Sequence, residues 1–389
     1  MHILHTSDWH LGRSFHGEDL LSAQAAYVDH LIETVQREQV DLVVVAGDVY
    51  DRALPAVDAV ALADDAFTRL AGSRARVVVT SGNHDSARRL GFSSRLVDAA
   101  GIHLRTDAGR VAEPVVLEDE HGPVAVYGIP FLEPDVVKHA WDLPTRSHHA
   151  ALGEAMRRIR ADLCSRQPGT RSVVIAHAFV AGGVPSESER DISVGGISVV
   201  PADLFEGIDY TALGHLHGRA TVSSSVRYSG SPVAYSFSEA GHVKGSWLVD
   251  LDDGGLAATR FVEAPVSRAL TCLAGSIEDL LTDRRLDAHT GDWVQATLTD
   301  DVRPPRAMER LRTRFPHTLA LRFHPHGGEP TPPRPTTVGR SAHEVALDFV
   351  SHVRGTPADA AESTLLRTAL ECCTEDADLV AARDAVVSG

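Results

Sequence analysis

The stretch 77-VVVTSGNHDSARRL-90 decides the fold that we expect for this chain. Its apolar run ends at a Ser-Gly pair, and Asn83, His84 and Asp85 follow directly. Three polar side chains at the end of a buried strand would be costly unless they have partners there. The stretch therefore predicts a β-strand that delivers polar residues to a functional site.

Four other short motifs also follow apolar strands. They are SDWH with Asp8 and His10, GDVYD with Asp48 and Asp51, AHA with His177, and GHLH with His215 and His217. Strand ends in open α/β sheets converge on one edge, so we expect these groups to meet in space. Each motif alone is more often a turn, a solvated loop or a core histidine. The occurrence of all five in order favours a single site.

The pooled side chains offer carboxylate oxygens, an amide oxygen and imidazole nitrogens, but no thiolate. This donor set favours Mn, Fe or Mg over a structural zinc site. The pool exceeds the needs of one ion, which predicts two metals spaced about 3.5–4 Å apart, suited to in-line displacement at phosphorus. One carboxylate must then bridge the ions. The glycines before Asp48, Asn83 and His215 fit tight turns and close backbone approach.

From residue 1 to about 260, short apolar strands alternate with amphipathic helices. The alternation predicts an α/β layered fold, and the later strand-rich part indicates a second sheet. The predicted helices are 19–38, 56–71, 86–99 and 148–165. The predicted strands are Ile3–Ser7, Leu42–Ala46, Val77–Thr80, Val124–Tyr127, Val173–Ala176, Tyr210–Leu213, Val226–Tyr228 and Trp247–Leu251.

A chain of 389 residues exceeds one ordinary core and predicts more than one domain. A proline and a change of rhythm near 262–267 indicate a boundary, and a segment rich in Pro, Gly and Thr indicates a linker. The predicted units are a main domain 1–264, a small α/β domain 265–325, a linker 326–340, and C-terminal helices in 341–389, roughly at 342–353 and 359–386.

The net charge of −16 argues against a free-standing nucleic-acid binder. A nucleic-acid role would need local basic patches, bound cations or a partner. The four cysteines form no CxxC pair and are expected to be reduced thiols of a cytoplasmic protein. The apolar runs are of strand length, so we expect no transmembrane span and no role at a membrane. The N-terminus has no pattern of an export signal.

The ordered set D-x-H, G-D-x-x-D, G-N-H-D, H and G-H-x-H resembles the calcineurin-like metallophosphoesterase superfamily. Three stretches narrow the resemblance to the SbcD family, the nuclease subunits of bacterial SbcC–SbcD complexes. They are HTSDWHLGR (5–13), YSGSPVAYSFSEAGHVKG (228–245) and LDFVSHVRG (347–355) with the acidic helix after it. The resemblance covers essentially the whole chain. It implies a layered α/β/β/α sandwich with a small α/β capping domain and a C-terminal helical tail.

The resemblance also implies a role for each site residue. One metal would be bound by Asp8, His10, Asp48 and His217. The other would be bound by Asp48, Asn83, His177 and His215, so that Asp48 bridges the ions. His84 would lie near the scissile phosphate without binding metal, and would stabilise charge or protonate the leaving oxygen. Archaeal relatives carry a histidine in place of Asp51, so we expect Asp51 to orient His84 rather than to contact phosphate. Asp85 is expected to hold the loop.

The implied activity is that of a Mn-dependent DNA nuclease, with Mg or another divalent metal as alternatives. It would combine double-strand exonuclease with single-strand and hairpin endonuclease activity, in DNA end processing, repair and recombination. The partner would be an SMC-like ATPase of the SbcC type, whose coiled coil the C-terminal helices would bind. Helices 56–71 and 86–99 would form a homodimer interface within a heterotetramer, although packing on their own domain is an equal alternative. DNA phosphates are expected near Arg13, Arg52, Arg88 and Arg89.

Two other functions stay open from the sequence. The first is a calcineurin-like phosphodiesterase or phosphatase that acts on a small molecule or a phosphoprotein. It would have the same site but would not need the capping domain or the helical tail. The second is a scaffold that mainly binds the ATPase and DNA ends, against which the complete set of metal ligands argues.

Overall fold

The computed structural model describes residues 1–192, 199–325 and 341–370. The chain forms two compact units, Met1–His326 and Gly327–Gly389. The predicted linker lies outside the described residues, and so does the part of the last predicted helix from residue 371 onward. Among the described residues, no helix is both long and apolar enough to cross a membrane.

The first unit is built on two six-stranded sheets and one three-stranded sheet. The strands are β1 (His2–Thr6), β2 (Ser14–Phe15), β3 (Glu18–Asp19), β4 (Leu42–Ala46), β5 (Arg76–Thr80), β6 (Ile102–Arg105), β7 (Val115–Asp119), β8 (Gly122–Ile129), β9 (Arg171–His177), β10 (Tyr210–Gly214), β11 (Ala220–Thr221), β12 (Val226–Tyr228), β13 (Gly245–Asp252), β14 (Gly255–Glu263), β15 (Leu270–Gly275), β16 (Trp293–Leu298) and β17 (Thr318–Phe323).

The α-helices of the described residues pack outside these sheets or belong to the second unit. They are α1 (Leu21–Arg37), α2 (Val57–Ala71), α3 (Ala87–Leu90), α4 (Ser94–Val97), α5 (Pro134–Ala140), α6 (His148–Ser165), α7 (Ile277–Thr282), α8 (Ala307–Arg314) and α9 (Ala342–Arg354).

The two large sheets pack face to face. Their strand orders are β14-β13-β1-β4-β5-β6 and β11-β12-β10-β9-β8-β7. Val44 and Val78 of the first sheet share one buried cluster with Val126 and Ile175 of the second. Helices α1 and α2 cover the outer face of the first sheet, and α5 and α6 cover that of the second. The predicted α/β/β/α sandwich is confirmed. The buried runs of β4, β5 and β9 follow from burial on both faces, because such strands have no solvent side to carry polar residues.

The small α/β domain is also confirmed. Strands β15, β16 and β17 form a parallel sheet, and α7 and α8 complete a separate core around Val294 and Leu311. This core is continuous with the large sandwich through aromatic contacts. The ring of Phe15 lies 4.9 Å from that of Phe237 and 5.5 Å from that of Trp293. The small domain therefore packs beside the loop that follows β1.

The predicted single helix 86–99 is wrong. The structure has two short helices there, α3 and α4, followed by a 3₁₀ turn at Asp98–Ala100. Ser93 lies between them with φ of 60°, a left-handed conformation that interrupts a right-handed helix. Strands β6, β7 and β14 and helix α5 had no counterpart among the predicted elements.

In the second unit, α9 matches the predicted helix 342–353. Ser341 and Glu344 form a reciprocal capping box at its start, and Gly355 ends it with φ of 75°. Residues 360–370 are helical as well, which agrees with the start of the predicted helix 359–386.

Candidate metal centre

All five motifs meet at one edge of the sandwich. Strands β1, β4 and β5 are parallel neighbours in one sheet, and β9 and β10 are parallel neighbours in the other. Their carboxyl ends lie together, because Nδ1 of His177, at the end of β9, lies 2.9 Å from the carbonyl oxygen of Ala46, at the end of β4. The convergence of side chains from widely separated parts of the sequence thus follows from the parallel strand order.

One group of donor atoms gathers around His10. Its Nε2 lies 3.1 Å from Nε2 of His217 and 3.5 Å from Oδ2 of Asp48. Ligand atoms of Asp8, His10 and His217 all lie within 4.8 Å of one another. All four side chains are buried, so the group is an internal cluster rather than a set of exposed acids.

A second group gathers around the amide of Asn83. Its Oδ1 lies 2.8 Å from Nε2 of His177 and 3.2 Å from Nδ1 of His215. Oδ2 of Asp48 lies 3.4 Å from Nε2 of His177. The same carboxylate oxygen therefore faces both groups.

The chemistry of these atoms fits divalent cations. Nδ1 of His177 must carry a proton, because it faces a carbonyl oxygen, which only accepts hydrogen bonds. Its Nε2 then presents a lone pair to the oxygens of Asp48 and Asn83. Lone pairs that converge from imidazole, amide and carboxylate groups repel one another unless a cation lies between them. Mixed O/N sets of this kind suit Mn, Fe or Mg.

The buried charges influence one another strongly. Burial raises the pKa of the Asp8 carboxyl to about 6. Burial would also raise the pKa of Asp48, but the facing His177 and His10 outweigh burial and hold that pKa well below its ordinary value. For His177, burial opposes the charged form, yet Asp48 and Asp8 raise its pKa to about 9. Burial lowers the pKa of His215 to about 3. The charge state of each ligand therefore depends on its neighbours.

Four candidate ligands have a strained backbone. The φ angles of Asp8, His10 and Asp48 are 52°, 44° and 49°, and that of His215 is 103°. Positive φ costs a residue other than glycine about 1–3 kcal/mol and tends to occur at functional sites. Nothing in the sequence indicated this strain.

Close packing explains the predicted glycines. A Cβ at Gly82 would lie 2.5 Å from the main-chain nitrogen of Asp48, nearer than real Cβ atoms come. A Cβ at Gly214 would overlap the carbonyl group of Ala46. Gly47 has φ of 83° and is packed against His177. The prediction of close backbone approach is confirmed at these positions.

His84 lies beside the first donor group, in edge contact with His10 at a ring separation of 4.6 Å. Its Nδ1 lies 2.7 Å from the main-chain oxygen of Asp51 but 3.9 Å from the Asp51 carboxylate. The close contact that orients the imidazole thus comes from the backbone of Asp51. The Asp51 carboxylate lies 3.6 Å from Nδ1 of His10 and 3.7 Å from Nε of Arg13. His10, Asp48 and His84 also satisfy the spacing of a metal-binding group.

Asp85 joins two of the ligand loops. Its carboxylate accepts hydrogen bonds from the main-chain nitrogens of Val49, Tyr50 and Gly82 at 3.1, 2.9 and 3.0 Å. These bonds attach the loop after β4 to the loop after β5. Asp85 holds the loop, as we expected from the sequence.

The four predicted phosphate contacts differ in their surroundings. Arg13 is largely buried, donates to the main chain of Ser188 and lies over the Tyr235 ring. Arg52 is 82% exposed, with Nε 3.6 Å from the Asp51 carboxylate. Arg89 donates to the main-chain oxygen of Ala53, and Arg88 is exposed. The exposed guanidiniums of Arg52 and Arg88 are accessible to a ligand, whereas Arg13 has its contacts within the protein.

Sequence reasoning missed the polar residues behind His217. Nδ1 of His217 contacts Ser188 and Glu239, and Glu239 pairs with Lys244. Glu239 and Lys244 lie in the stretch 228–245, which carried part of the family resemblance, but no chemistry was assigned to them.

Comparison with known proteins agrees with this geometry. The family model described as calcineurin-like phosphoesterase matches residues 1–219, which is more than half of the chain. The chain belongs to this family of metal-dependent phosphoester hydrolases.

A narrower family is shown as well. A model described as the type 5 capsule protein repressor C-terminal domain matches residues 266–352. The chain is 31% identical over 324 residues to SbcD, the smaller component of the nuclease SbcCD, from Staphylococcus saprophyticus, with 82% of this chain and 84% of that protein covered. The chain is therefore a member of the SbcD family.

Solved structures with related folds are more distant. A dimetal phosphatase from Danio rerio is 15% identical, with a TM-score of 0.42, and the match covers 68% of this chain and 99% of that one. A protein from Thermus thermophilus is 15% identical, with a TM-score of 0.38, and the match covers 67% and 98%.

Proposed function

We propose that the protein is a Mn-dependent DNA nuclease that hydrolyses phosphodiester bonds at a two-metal site, with Mg or another divalent ion as a substitute. The position of Asp48 carries the proposal. One carboxylate oxygen lies 3.5 Å from Nε2 of His10 and 3.4 Å from Nε2 of His177, between two otherwise separate donor groups. The nuclease name of the Staphylococcus saprophyticus relative supports DNA as the substrate.

In this proposal the two ions share one ligand. The first ion is held by Asp8, His10, Asp48 and His217, and the second by Asp48, Asn83, His177 and His215. When bound, the two ions supply Lewis-acid stabilisation of charge at the phosphoryl group and lower the pKa of water. The protein keeps the ligand atoms in place and excludes bulk water from them.

His84 is the proposed catalytic residue of the chain. Its Nδ1–H donates to the main-chain oxygen of Asp51 at 2.7 Å, which fixes the ring and leaves Nε2 for the substrate. A histidine held in this way can stabilise the developing charge or protonate the leaving oxygen. Asp51 is then a positioning residue, mainly through its backbone.

Two substitutions test these roles. His84→Ala should retain two Mn ions per chain while DNA cleavage falls about 10²- to 10⁴-fold, since only proton transfer and charge stabilisation are removed. Asp48→Ala should lose both metal and cleavage. The exposed His149 provides a control, because His149→Ala should change neither property. Metal content and cleavage of blunt duplex and hairpin DNA are measured for all three. Loss of metal in His84→Ala would show that His84 is a ligand, and the assigned role would be wrong.

The substrate class needs its own comparison. Hairpin DNA, blunt duplex DNA, a cyclic nucleotide and a phosphopeptide are offered to the purified chain with Mn or Mg. We expect Mn-dependent cleavage of the two DNAs, both from ends and at the hairpin. Turnover of only the cyclic nucleotide or the phosphopeptide would favour a phosphodiesterase or a phosphatase instead.

We also propose that an SMC-like ATPase of the SbcC type is the partner, in a cytoplasmic complex that processes DNA ends. With a net charge of −16, the chain should hold DNA weakly alone. The proposed docking element is the C-terminal helical tail, 341–389. Phe349 and Val353 of α9 and Leu365 of the next helical segment are exposed apolar residues. Phe349→Asp should abolish binding of the ATPase coiled coil in a titration, and unchanged affinity would refute this docking site.

A homodimer completes the proposal, within a heterotetramer of nuclease and ATPase subunits. Val57 and Val60 of α2, Phe92, and Leu96 of α4 are exposed, although α2 buries Ala59 and Ala63 against its own domain. Such neighbouring exposed apolar residues favour a protein interface. Leu96→Glu should convert a dimer to a monomer in light scattering. A wild-type monomer would refute the proposed interface.

The remaining domain roles follow from this proposal. Residues 1–264 would form the nuclease domain. Residues 265–325 would form a capping domain that guides DNA strands into the site, since their small sheet packs beside the loop after β1. Residues 326–340 would link it to the helical tail.

A further inference from the structure

A buried chain of polar contacts stands behind His217, on the side away from the donor group. Nδ1 of His217 contacts Oγ of Ser188, and the Ser188 hydroxyl contacts Oε1 of Glu239. Oε2 of Glu239 pairs with Nζ of Lys244. The exposed fractions of Ser188, Glu239 and Lys244 are 8%, 1% and 7%. Water therefore cannot replace these contacts.

The chemistry of the groups fixes the direction of each hydrogen bond. Glu239 faces an ammonium group, so its carboxylate is ionised and can only accept. The Ser188 hydroxyl must then donate to Glu239, and its oxygen must accept from Nδ1–H of His217. This assignment leaves the lone pair of His217 on Nε2, which lies 3.1 Å from Nε2 of His10. The relay selects the tautomer that metal binding requires.

Lys244 uses all three of its donors in the same region. Besides Glu239, Nζ contacts the main-chain oxygen of His217 at 2.8 Å and Oγ of Ser231 at 2.9 Å. A buried ion pair adds little net stability compared with apolar residues of the same volume. Stability alone therefore gives little reason for this pair, whereas both of its members contact the metal-site histidine directly or through Ser188.

We infer that Glu239, acting through Ser188, is a positioning residue that orients His217 and sets the metal affinity of one of the two ion sites. The affected site is the one formed by Asp8, His10, Asp48 and His217. The inference rests on the proposed two-metal centre. It assigns the carboxylate no contact with substrate.

Titration of metal-free protein with Mn²⁺ by calorimetry tests the inference. Glu239→Gln keeps the size of the side chain but removes the charge that accepts from Ser188. We expect one of the two binding events to weaken about 10- to 100-fold, as for other outer partners of metal ligands, and the other to stay within about twofold. His177→Ala identifies the events, because it should weaken the event that Glu239→Gln leaves intact.

A matched control and a milder variant separate positioning from folding. Glu187→Gln changes the same residue type at a position 63% exposed, whose carboxylate faces only Arg322 at 3.5 Å, and should leave both events unchanged. Glu239→Gln also leaves Lys244 without its carboxylate, which can lower the melting temperature. Ser188→Ala keeps that pair and removes only the bridging hydroxyl, so it should weaken the same event with a smaller change in melting temperature.

Wild-type affinity for both ions in Glu239→Gln and Ser188→Ala would overturn the inference. Equal weakening of both events would overturn it too, because that is the signature of a general structural loss. The proposed nuclease function fails in a different way, by the absence of Mn-dependent DNA cleavage in the wild-type chain. A wild type that cleaves DNA beside variants with unaltered metal affinity would remove the inference and leave the function standing.

Discussion

Replacing Gly82 by alanine is predicted to damage the metal centre while the fold survives. Gly82 lies in the loop between β5 and the ligand Asn83, where it packs against the backbone of Asp48. An added Cβ would lie 2.5 Å from the main-chain nitrogen of Asp48 and 2.6 Å from its Cγ, and it would also press on the carboxylate oxygen Oδ1. The contact therefore falls on the residue that faces both donor groups.

The size of the effect follows from these distances. Real Cβ atoms essentially never approach within 3.0 Å, so Asp48 must move about 0.5 Å, the difference between 3.0 and 2.5 Å. A preorganised site tolerates displacements of roughly 0.5 Å, and a displacement of about 1 Å costs about 10²-fold in rate. We expect kcat/KM to fall about 10- to 100-fold. Overpacking should lower the free energy of unfolding by about 1–3 kcal/mol.

The assay compares Mn-dependent hydrolysis of bis(p-nitrophenyl) phosphate, Mn²⁺ titration and thermal unfolding. Gly72→Ala is the matched control, because its Cβ would meet atoms at 3.5 and 3.6 Å, and its φ is −75°. This variant should keep wild-type activity. If Gly82→Ala binds Mn²⁺ and turns over substrate like the wild type, the argument from close packing around Asp48 is refuted.

Two further predictions concern stability. Burial would raise the pKa of Asp119, but the buried Arg171 guanidinium, 2.5 Å away, outweighs it and holds the pKa well below its ordinary value. A depressed carboxyl pKa stabilises above the unfolded pKa of about 4 and loses this contribution as pH falls, so Asp119→Asn should cost about 2–3 kcal/mol in urea unfolding at pH 7 and less at pH 3. An equal loss at both pH values, or a loss in the exposed control Asp253→Asn, would contradict this. Burial lowers the pKa of His5 to about 3, and Tyr210 OH lies 2.8 Å from its Nδ1. Tyr210→Phe should therefore cost about 1–3 kcal/mol at pH 7, and unchanged stability would show that this nitrogen has another partner.

Sequence reasoning succeeded where one local pattern decides the structure. The apolar runs before Asp48 and Asn83 predicted β4 and β5, because a strand buried on both faces has few polar positions. The glycines beside the ligands were predicted from the close approach that short strand-to-loop turns require. The presence of these ligands at one edge followed from parallel strand order alone.

The failures share a different cause. The predicted helix 86–99 has an apolar periodicity, but Ser93 adopts a left-handed conformation that no local pattern indicates. Glu239 has the sequence context of a polar loop residue, because its partners Ser188 and Lys244 are fixed by tertiary packing. The orienting contact to His84 comes from the main-chain oxygen of Asp51, which side-chain identity cannot reveal. Sequence patterns report side chains in their own segment, whereas these features depend on backbone conformation or on a distant segment.

The strained ligands show that the fold, rather than a bound ion, sets the site. Three neighbouring positive φ angles, at Asp8, His10 and Asp48, would cost about 1–3 kcal/mol each in isolation. The two loops hold each other in this conformation, since the Asp8 main-chain nitrogen donates to Gly47 at 3.0 Å and that of His10 donates to Asp48 at 2.9 Å. The rest of the sandwich therefore compensates the strain. Because the backbone already directs the ligand atoms at one another, a metal ion has little conformational entropy to remove when it binds, and the binding energy is left for holding the substrate phosphate.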